Sequence, residues 1–199
     1  MMLTEETAVP VEALPVEPFK DHLRLGTGFG ESGLQDGLLE SFLRAAILAV
    51  EARTGKALIA RNFTLRIGAW RGRAAQPLYI APVQTLNGVT TIEADGTEHA
   101  EALSRFRLEP DAQRPVLAAV GTTLPTIPSG GAVRLSFRAG FAESWEGLPA
   151  DLAQAVLLLA AHYYEYRHET ALGEGCMPFG VTALIERYRV VRLFGGGEG

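Results

Sequence analysis

The sequence is short of several things, and each shortage removes a class of protein. It has a single cysteine, Cys176, in 199 residues, so no intramolecular disulfide framework can hold the fold. Its longest apolar run, AVLLLAA, is far too short to cross a bilayer as a helix. Basic charge is also scarce: 18 Lys and Arg face 23 Asp and Glu, a net of -5, which leaves no general nucleic-acid footprint. The opening MMLTEETAVPVEALPVEP is acidic and proline-rich, unlike a signal or transit peptide. A HExxH zinc signature, a complete phosphate-binding loop and a G-x-S-x-G elbow are all missing. What remains is 47% hydrophobic and 21% charged, the composition of a water-soluble chain that can bury a real core in a reducing cytoplasm.

The charge that is present is segregated. Residues 1–40 carry eight acids against Lys20 and Arg24, whereas residues 41–150 carry twelve basic and nine acidic residues. A solvated arm explains this, and so does an arm that docks on a neighbouring copy through complementary potential.

Periodicity divides the chain. Pro10 and Pro15 predict an extended acidic arm over residues 1–16. A short helix is expected at EPFKDHLRL (17–25), then a glycine-rich linker, GTGFGESG (26–33). A long helix follows over about 36–54, with Asp36 as N-cap and Leu39, Phe42, Leu43, Ala46, Ile47 and Val50 as its apolar stripe. Gly55 is placed to stop it. From 57 to 141 the period shortens to that of strands, giving five or six antiparallel strands. Turn chemistry at Asn87-Gly88, Asp95-Gly96, Pro110-Asp111 and Pro128-Ser129-Gly130-Gly131 punctuates them. A second long helix, 149–168, is apolar almost all round and so is buried on several sides. A short helix near VTALIERYR precedes a strand-like VVRLF and a flexible tail at 195–199. The fold class is α+β: a helical core, an antiparallel β block between the two long helices, and an extended N-terminal arm, with 17–194 as one domain.

The densest chemistry lies in HYYEYRHE, His162 to Glu169. On a helix, His162, Glu165 and Glu169 fall within about 60° of one another, a partial metal-ligand set. Glu165-x-x-His168 has the spacing of one helix of a carboxylate di-iron bundle, but such a site needs a second copy of the motif, and there is none. The better reading is the wet end of a buried helix, with tyrosines bridging the boundary. Cys176 lacks an electropositive setting, so it reads as a small loop residue. Arg61, Arg66, Arg71 and Arg73 read as a solvated strand face, with contact to an acidic partner or DNA phosphate as the alternative. No set supplies nucleophile, base and oxyanion donors together. An enzyme is not expected, and neither is a cofactor; a metal-binding role for His162, Glu165 and Glu169 is kept as the alternative.

Three stretches in this order resemble the tailed-phage head–tail connector (adaptor) proteins, including those of gene transfer agents. They are PVEPFKDHLRL with a helix ending VEARTGKALIARNFTLRIGAW, then VRLSFRAGFAESWEGLPADLAQAVLLLAAHYYEYRHE, then PFGVTALIERYRVVRL. The resemblance covers about residues 15–194. The sequence departs from the pattern at GTGFGESG, where relatives carry a short acidic linker, and in an expanded β block. What the resemblance implies is a non-enzymatic structural subunit, assembled in the bacterial cytoplasm and then carried in the neck of a phage-like particle. It implies a homo-oligomeric ring, twelve-fold in the particle, beneath the portal protein and above a stopper or tail-terminator protein. Double-stranded DNA would pass transiently through its channel, with no membrane partner. Arg187, Arg189, Arg192, Leu193 and Phe194 are the candidate portal or partner contact, as an added strand or an Arg/aromatic anchor. Packing of Val190, Val191 and Leu193 back on the core is the equally weighted alternative.

Overall fold

The structure, a computed structural model, describes residues 1–25, 32–167 and 177–189; for 32–34 it describes the backbone alone. Among the described residues, eight strands and four helices make a mixed fold of helices and antiparallel sheet. The elements run β1 (Met2–Glu5), α1 (Val16–His22), α2 (Ser32–Thr54), β2 (Arg61–Ile67), β3 (Ala75–Pro77), β4 (Val83–Ile92) and β5 (Glu98–Ala100). They continue with β6 (Phe106–Glu109), β7 (Val116–Ala119), β8 (Ala132–Ala139), α3 (Ala150–Glu165) and α4 (Phe179–Ile185).

Seven strands fall within 57–141, where five or six were expected, and with β1 they form two sheets. A five-stranded sheet has the order β1-β2-β8-β4-β5, and a three-stranded sheet the order β3-β7-β6. In β8, Val133, Leu135 and Phe137 are fully buried while Arg134, Ser136 and Arg138 are half exposed, the alternation that a strand with one wet face requires. Phe63 sits opposite Phe137 in the register and stacks on it, ring centroids 6.1 Å apart. The first strand comes from the acidic arm, which pairs with β2 of its own chain, Leu3 opposite Leu65.

Two turn expectations need comment. Asn87-Gly88 makes no hairpin: both lie inside β4, where the register against β8 shifts between Leu86 and Gly88. An Asn-Gly pair permits a bulge as readily as a turn, and local sequence does not separate the two. Asp95-Gly96 does form the β4–β5 turn, with Gly96 at φ 90° and the Thr97 N–H donated to Asp95 Oδ1 at 2.8 Å.

The helices hold the other half of the core. Leu39, Leu43, Ala46, Ile47 and Val50 on α2 are at most 1% exposed, and they pack with Leu152, Val156 and Leu159 of α3 and with Phe19 of α1. Each fully buried leucine, isoleucine or valine contributes about 1.5–3 kcal/mol. Helix α2 begins at Ser32, a turn earlier than expected, so Asp36 is not its N-cap. The Asp36 carboxylate instead meets Lys20 of α1 at 2.7 Å. Gly55, at φ 69°, ends α2 in the left-handed conformation that favours glycine. Helix α3 stops at Glu165, and His168 lies outside the described residues. Among the described residues no helix is long and apolar enough to cross a membrane.

Between the helical and β halves runs a short joint, Lys56 to Arg61, buried at every residue. Its backbone is tied to both sides: Ala57 N–H to Ala81 O at 2.9 Å, and Ala60 N–H to Ala142 O at 2.7 Å. Arg61 is the main correction to the solvated-face reading, for it is only 3% exposed. Its guanidinium forks onto Glu51 of α2, Nη2 to Oε2 at 2.7 Å and Nη1 to Oε1 at 2.9 Å, and reaches Glu5 of β1 at 3.0 Å. Glu51 Oε1 also accepts the Leu58 N–H at 2.7 Å. Burial works against the charge on Arg61, yet the hydrogen bonds and charges of Glu51 and Glu5 outweigh it and raise its pKa above the ordinary value. Lys56 is fully buried beside it and donates from Nζ to Gln113 Oε1 at 2.7 Å. Burial lowers its pKa from 10.5, against an opposing pull from the Asp111 carboxylate.

Four expected outcomes follow from this joint and its contacts. Arg61→Met strands the Glu51 carboxylate and should lower unfolding free energy by about 3–5 kcal/mol. In denaturant titrations the double variant Glu51→Leu/Arg61→Met should cost well short of the sum of the two singles, because Arg61→Met leaves the buried Glu51 carboxylate unpaired and Glu51→Leu leaves the buried Arg61 with Glu5 alone. Gly140→Ala should be poorly tolerated, since φ is 149° and an added Cβ would lie 2.3 Å from Ala60 Cα; a fall in thermal midpoint tests this. For Lys56 the folded pKa is the lower one, so between that value and about 10.5 the unfolded chain binds more protons and stability rises with pH. The denaturation midpoint of the wild type should therefore climb relative to Lys56→Met as pH increases through that window.

Candidate functional site: the C-terminal anchor and the end of α3

The expected partner contact begins where the described C-terminal segment meets the start of α3. Asp151, in the first turn of that helix, is suited to a carboxylate by the partial positive charge of the helix N-terminus. Its Oδ1 accepts the Tyr188 hydroxyl at 2.7 Å and the Leu152 N–H at 3.0 Å, while Oδ2 faces Arg187 Nη2 at 2.7 Å. Tyr188 is 8% exposed, and its ring meets Phe141 edge-on at 5.7 Å. The Arg187 guanidinium lies 4.7 Å from the centre of the Tyr188 ring and donates to its hydroxyl. Burial raises the Tyr188 pKa, so the phenol keeps its proton for Asp151. Gln113, which holds Lys56 from the β6–β7 turn, also donates to the Arg187 carbonyl at 3.5 Å.

This cluster fixes the described C-terminal segment against the start of α3. Arg187 remains exposed and Arg189, half-buried, pairs with Glu186 at 2.9 Å. Arg192, Leu193 and Phe194 lie outside the described residues, as do Val190, Val191 and the 195–199 tail. Sequence reasoning missed Asp151 and Tyr188. An aspartate at N2 of a helix signals only a favourable helix end, and nothing local names a tyrosine 37 residues away as its partner.

HYYEYRHE gives a simpler result. His162 is half-buried and its ring lies 4.6 Å from that of Tyr166, tilted by 48°. Glu165 is exposed at the last position of α3, and His168 and Glu169 lie outside the described residues. Tyr164 meets Phe42 of α2 edge-on at 6.0 Å and carries the Arg167 guanidinium at 4.5 Å. Burial raises the pKa of Tyr163. Among the described residues no three His, Cys, Asp or Glu side chains are grouped so as to hold a metal ion. Tyr163 and Tyr164 pack the end of α3 against the helical core, while Tyr166 is exposed beside His162. Cys176 and the 26–31 portion of the glycine-rich linker lie outside the described residues.

The basic run divides along its length. Arg61 is buried in the joint, Arg66 is exposed on the sheet, and Arg71 and Arg73 are exposed in the loop between β2 and β3. That loop is held by the Trp70 indole N–H on Pro125 O at 2.6 Å and by the Arg71 N–H on buried Gln76 Oε1 at 2.9 Å.

No protein-family model matches the chain, and no curated protein matches it. Solved structures do. A chain in the neck of an empty gene transfer agent particle, computed with C6 symmetry, is 57% identical with TM-score 0.89; the match covers 98% of this chain and 99% of that one. A chain in the neck of the native particle, computed with C12 symmetry, is 52% identical with TM-score 0.84 over the same shares. A chain in the native virion is 56% identical with TM-score 0.86, again over the same shares. These relatives are structural components of a particle rather than enzymes. Identity at this level over nearly the full length of both chains fixes kinship: the chain belongs to the tailed-phage head–tail connector (adaptor) family that includes the neck proteins of gene transfer agents.

Proposed function

We propose that this chain is a structural subunit of the neck of a phage-like particle, where copies of it form a ring beneath the portal and continue the DNA channel towards the tail. The observation that carries the reading is the 57% identity, across 98% of the chain, to a protein of a gene transfer agent neck. Necks computed with C6 and C12 symmetry support a cyclic homo-oligomer. A twelve-copy ring is compatible with both, since six-fold averaging accommodates six pairs of copies. The portal lies on one side of the ring and a stopper or tail-terminator protein on the other, and double-stranded DNA passes through during packaging and ejection. Assembly takes place in the bacterial cytoplasm before the subunit enters the particle.

The Asp151–Tyr188 anchor supports a specific portal contact. It holds Arg187 and Arg189 at the edge of the body, and the sequence continues into Arg192, Leu193 and Phe194, a run with the Arg and aromatic character of interface anchors. The channel wall needs no dense positive charge, because DNA must slide through it rather than bind.

Electron microscopy of particles from the producing cell, or of the protein mixed with its portal, should show a ring of this chain at the neck. A neck without such a ring would remove the reading. Arg192→Glu together with Phe194→Ala should leave the thermal midpoint unchanged and weaken portal binding about tenfold or more. Unchanged binding would assign the portal contact elsewhere.

A further inference from the structure

The outward face of α2 has the wrong composition for water. Leu38, Ser41, Ala45, Leu48 and Ala52 are all exposed, and their 3-4-3-4 spacing puts them on one stripe along four turns of the helix. None is charged, and the Ser41 hydroxyl is turned back onto Leu38 O at 2.6 Å. Leu38 is 44% exposed and Leu48 54%. A helix that faces solvent carries charged and polar residues on this side. The stripe runs at its C-terminal end into a shallow groove that Leu48 and Ala52 share with Leu3 and Tyr79.

A second uncovered apolar face belongs to α4. Phe179, its first residue, is 88% exposed, the most exposed large hydrophobic side chain among the described residues, and Ala183 is exposed one turn on. Helix α3 packs against both α2 and α4, so it stands as their shared neighbour. The α2 stripe points away from α3, because the opposite side of α2 carries the buried Leu43, Ala46 and Val50. The helical layer therefore has two distinct apolar faces that the described residues leave uncovered.

We propose that these are the two halves of one contact between copies: the α2 stripe of one subunit receives the Phe179 and Ala183 face of α4 from the next. This deepens the ring reading and rests on it. A cyclic assembly is built from heterologous contacts, in which two different faces of each copy must be complementary. The occupant is a second copy because relatives at 52–57% identity sit in necks with cyclic symmetry, where each subunit must cover two neighbours. The chemistry matches as well. An exposed phenylalanine is the kind of side chain that anchors an interface, and the small Ser41 and Ala45 between Leu38 and Leu48 let a second helix approach closely.

The test uses full-length chains in particles or on the portal, with Leu48→Glu and Phe179→Glu made separately and Ala45→Lys as a second stripe variant. These positions are exposed, so thermal midpoints should match the wild type. With a wild-type ring present at the neck, each variant should reduce ring occupancy in electron micrographs about tenfold or more. When Leu48→Glu and Phe179→Glu chains are mixed with portal, one tagged, the tagged copy should capture the other. The first retains a sound α4 face and the second a sound α2 stripe, so one productive contact is restored, which a folding defect could not mimic. A wild-type ring with variants that assemble normally, or a mixture without capture, would overturn the face assignment while leaving the ring intact. A wild type that forms no ring would remove both readings together.

Discussion

Everything in this fold depends on how a helical half and a β half are joined through six buried residues. The joint would be hard to bury if its backbone and charges were left unpaired, and the Glu51–Arg61 fork settles both needs. Glu51, on the last turns of α2, accepts the Leu58 N–H and two guanidinium nitrogens, so a helix end, an irregular segment and the first residue of β2 share one carboxylate. Glu5 brings the amino-terminal strand to the same guanidinium. A buried ion pair adds little net stability against apolar residues of similar volume. It does penalise other arrangements, because any slip leaves a buried charge unpaired. Its role here is to fix geometry between two cores that would otherwise be joined only by packing and the backbone hydrogen bonds of the joint.

Much of this was legible from local pattern. The α2 stripe, Gly55 as its stop, the inward alternation of Val133, Leu135 and Phe137, and the Asp95-Gly96 turn each follow from periodicity or from a backbone that only certain residues adopt. What was not legible depends on partners far away in sequence. Arg61 resembles its exposed neighbours Arg66, Arg71 and Arg73 in composition, and only the arrival of Glu51 and Glu5 distinguishes it. Asn87-Gly88 is a strong hairpin signal, yet β4 pairs with β8 through it, so tertiary pairing overrode local preference. The division of the strands into two sheets is likewise a matter of long-range pairing that alternation cannot specify.

The candidate surfaces show the same asymmetry. HYYEYRHE draws attention by its residue types, but the described part is explained by ring packing of His162, Tyr164 and Tyr166. Asp151 and Tyr188 draw none, yet they fix the described C-terminal segment against the start of α3. The family resemblance rested on the order and spacing of diffuse segments, and the similarity to neck proteins spans the chain in the same even way. Kinship of this kind resides in the scaffold rather than in a reactive constellation, as expected for a protein that works by shape.

The rigidity of the joint has a consequence for closure. A cyclic assembly returns to its starting point only if the rotation from one copy to the next is the same each time. With the contact between copies in the helical layer, closure is left to that layer only if the β halves stay at one angle to it; play at the joint would let them swing out of register around the ring. Pinning α2, β1 and β2 to a single guanidinium removes that play at its source. On this view Arg61 holds every β half of the assembly at the same angle to its own helical layer.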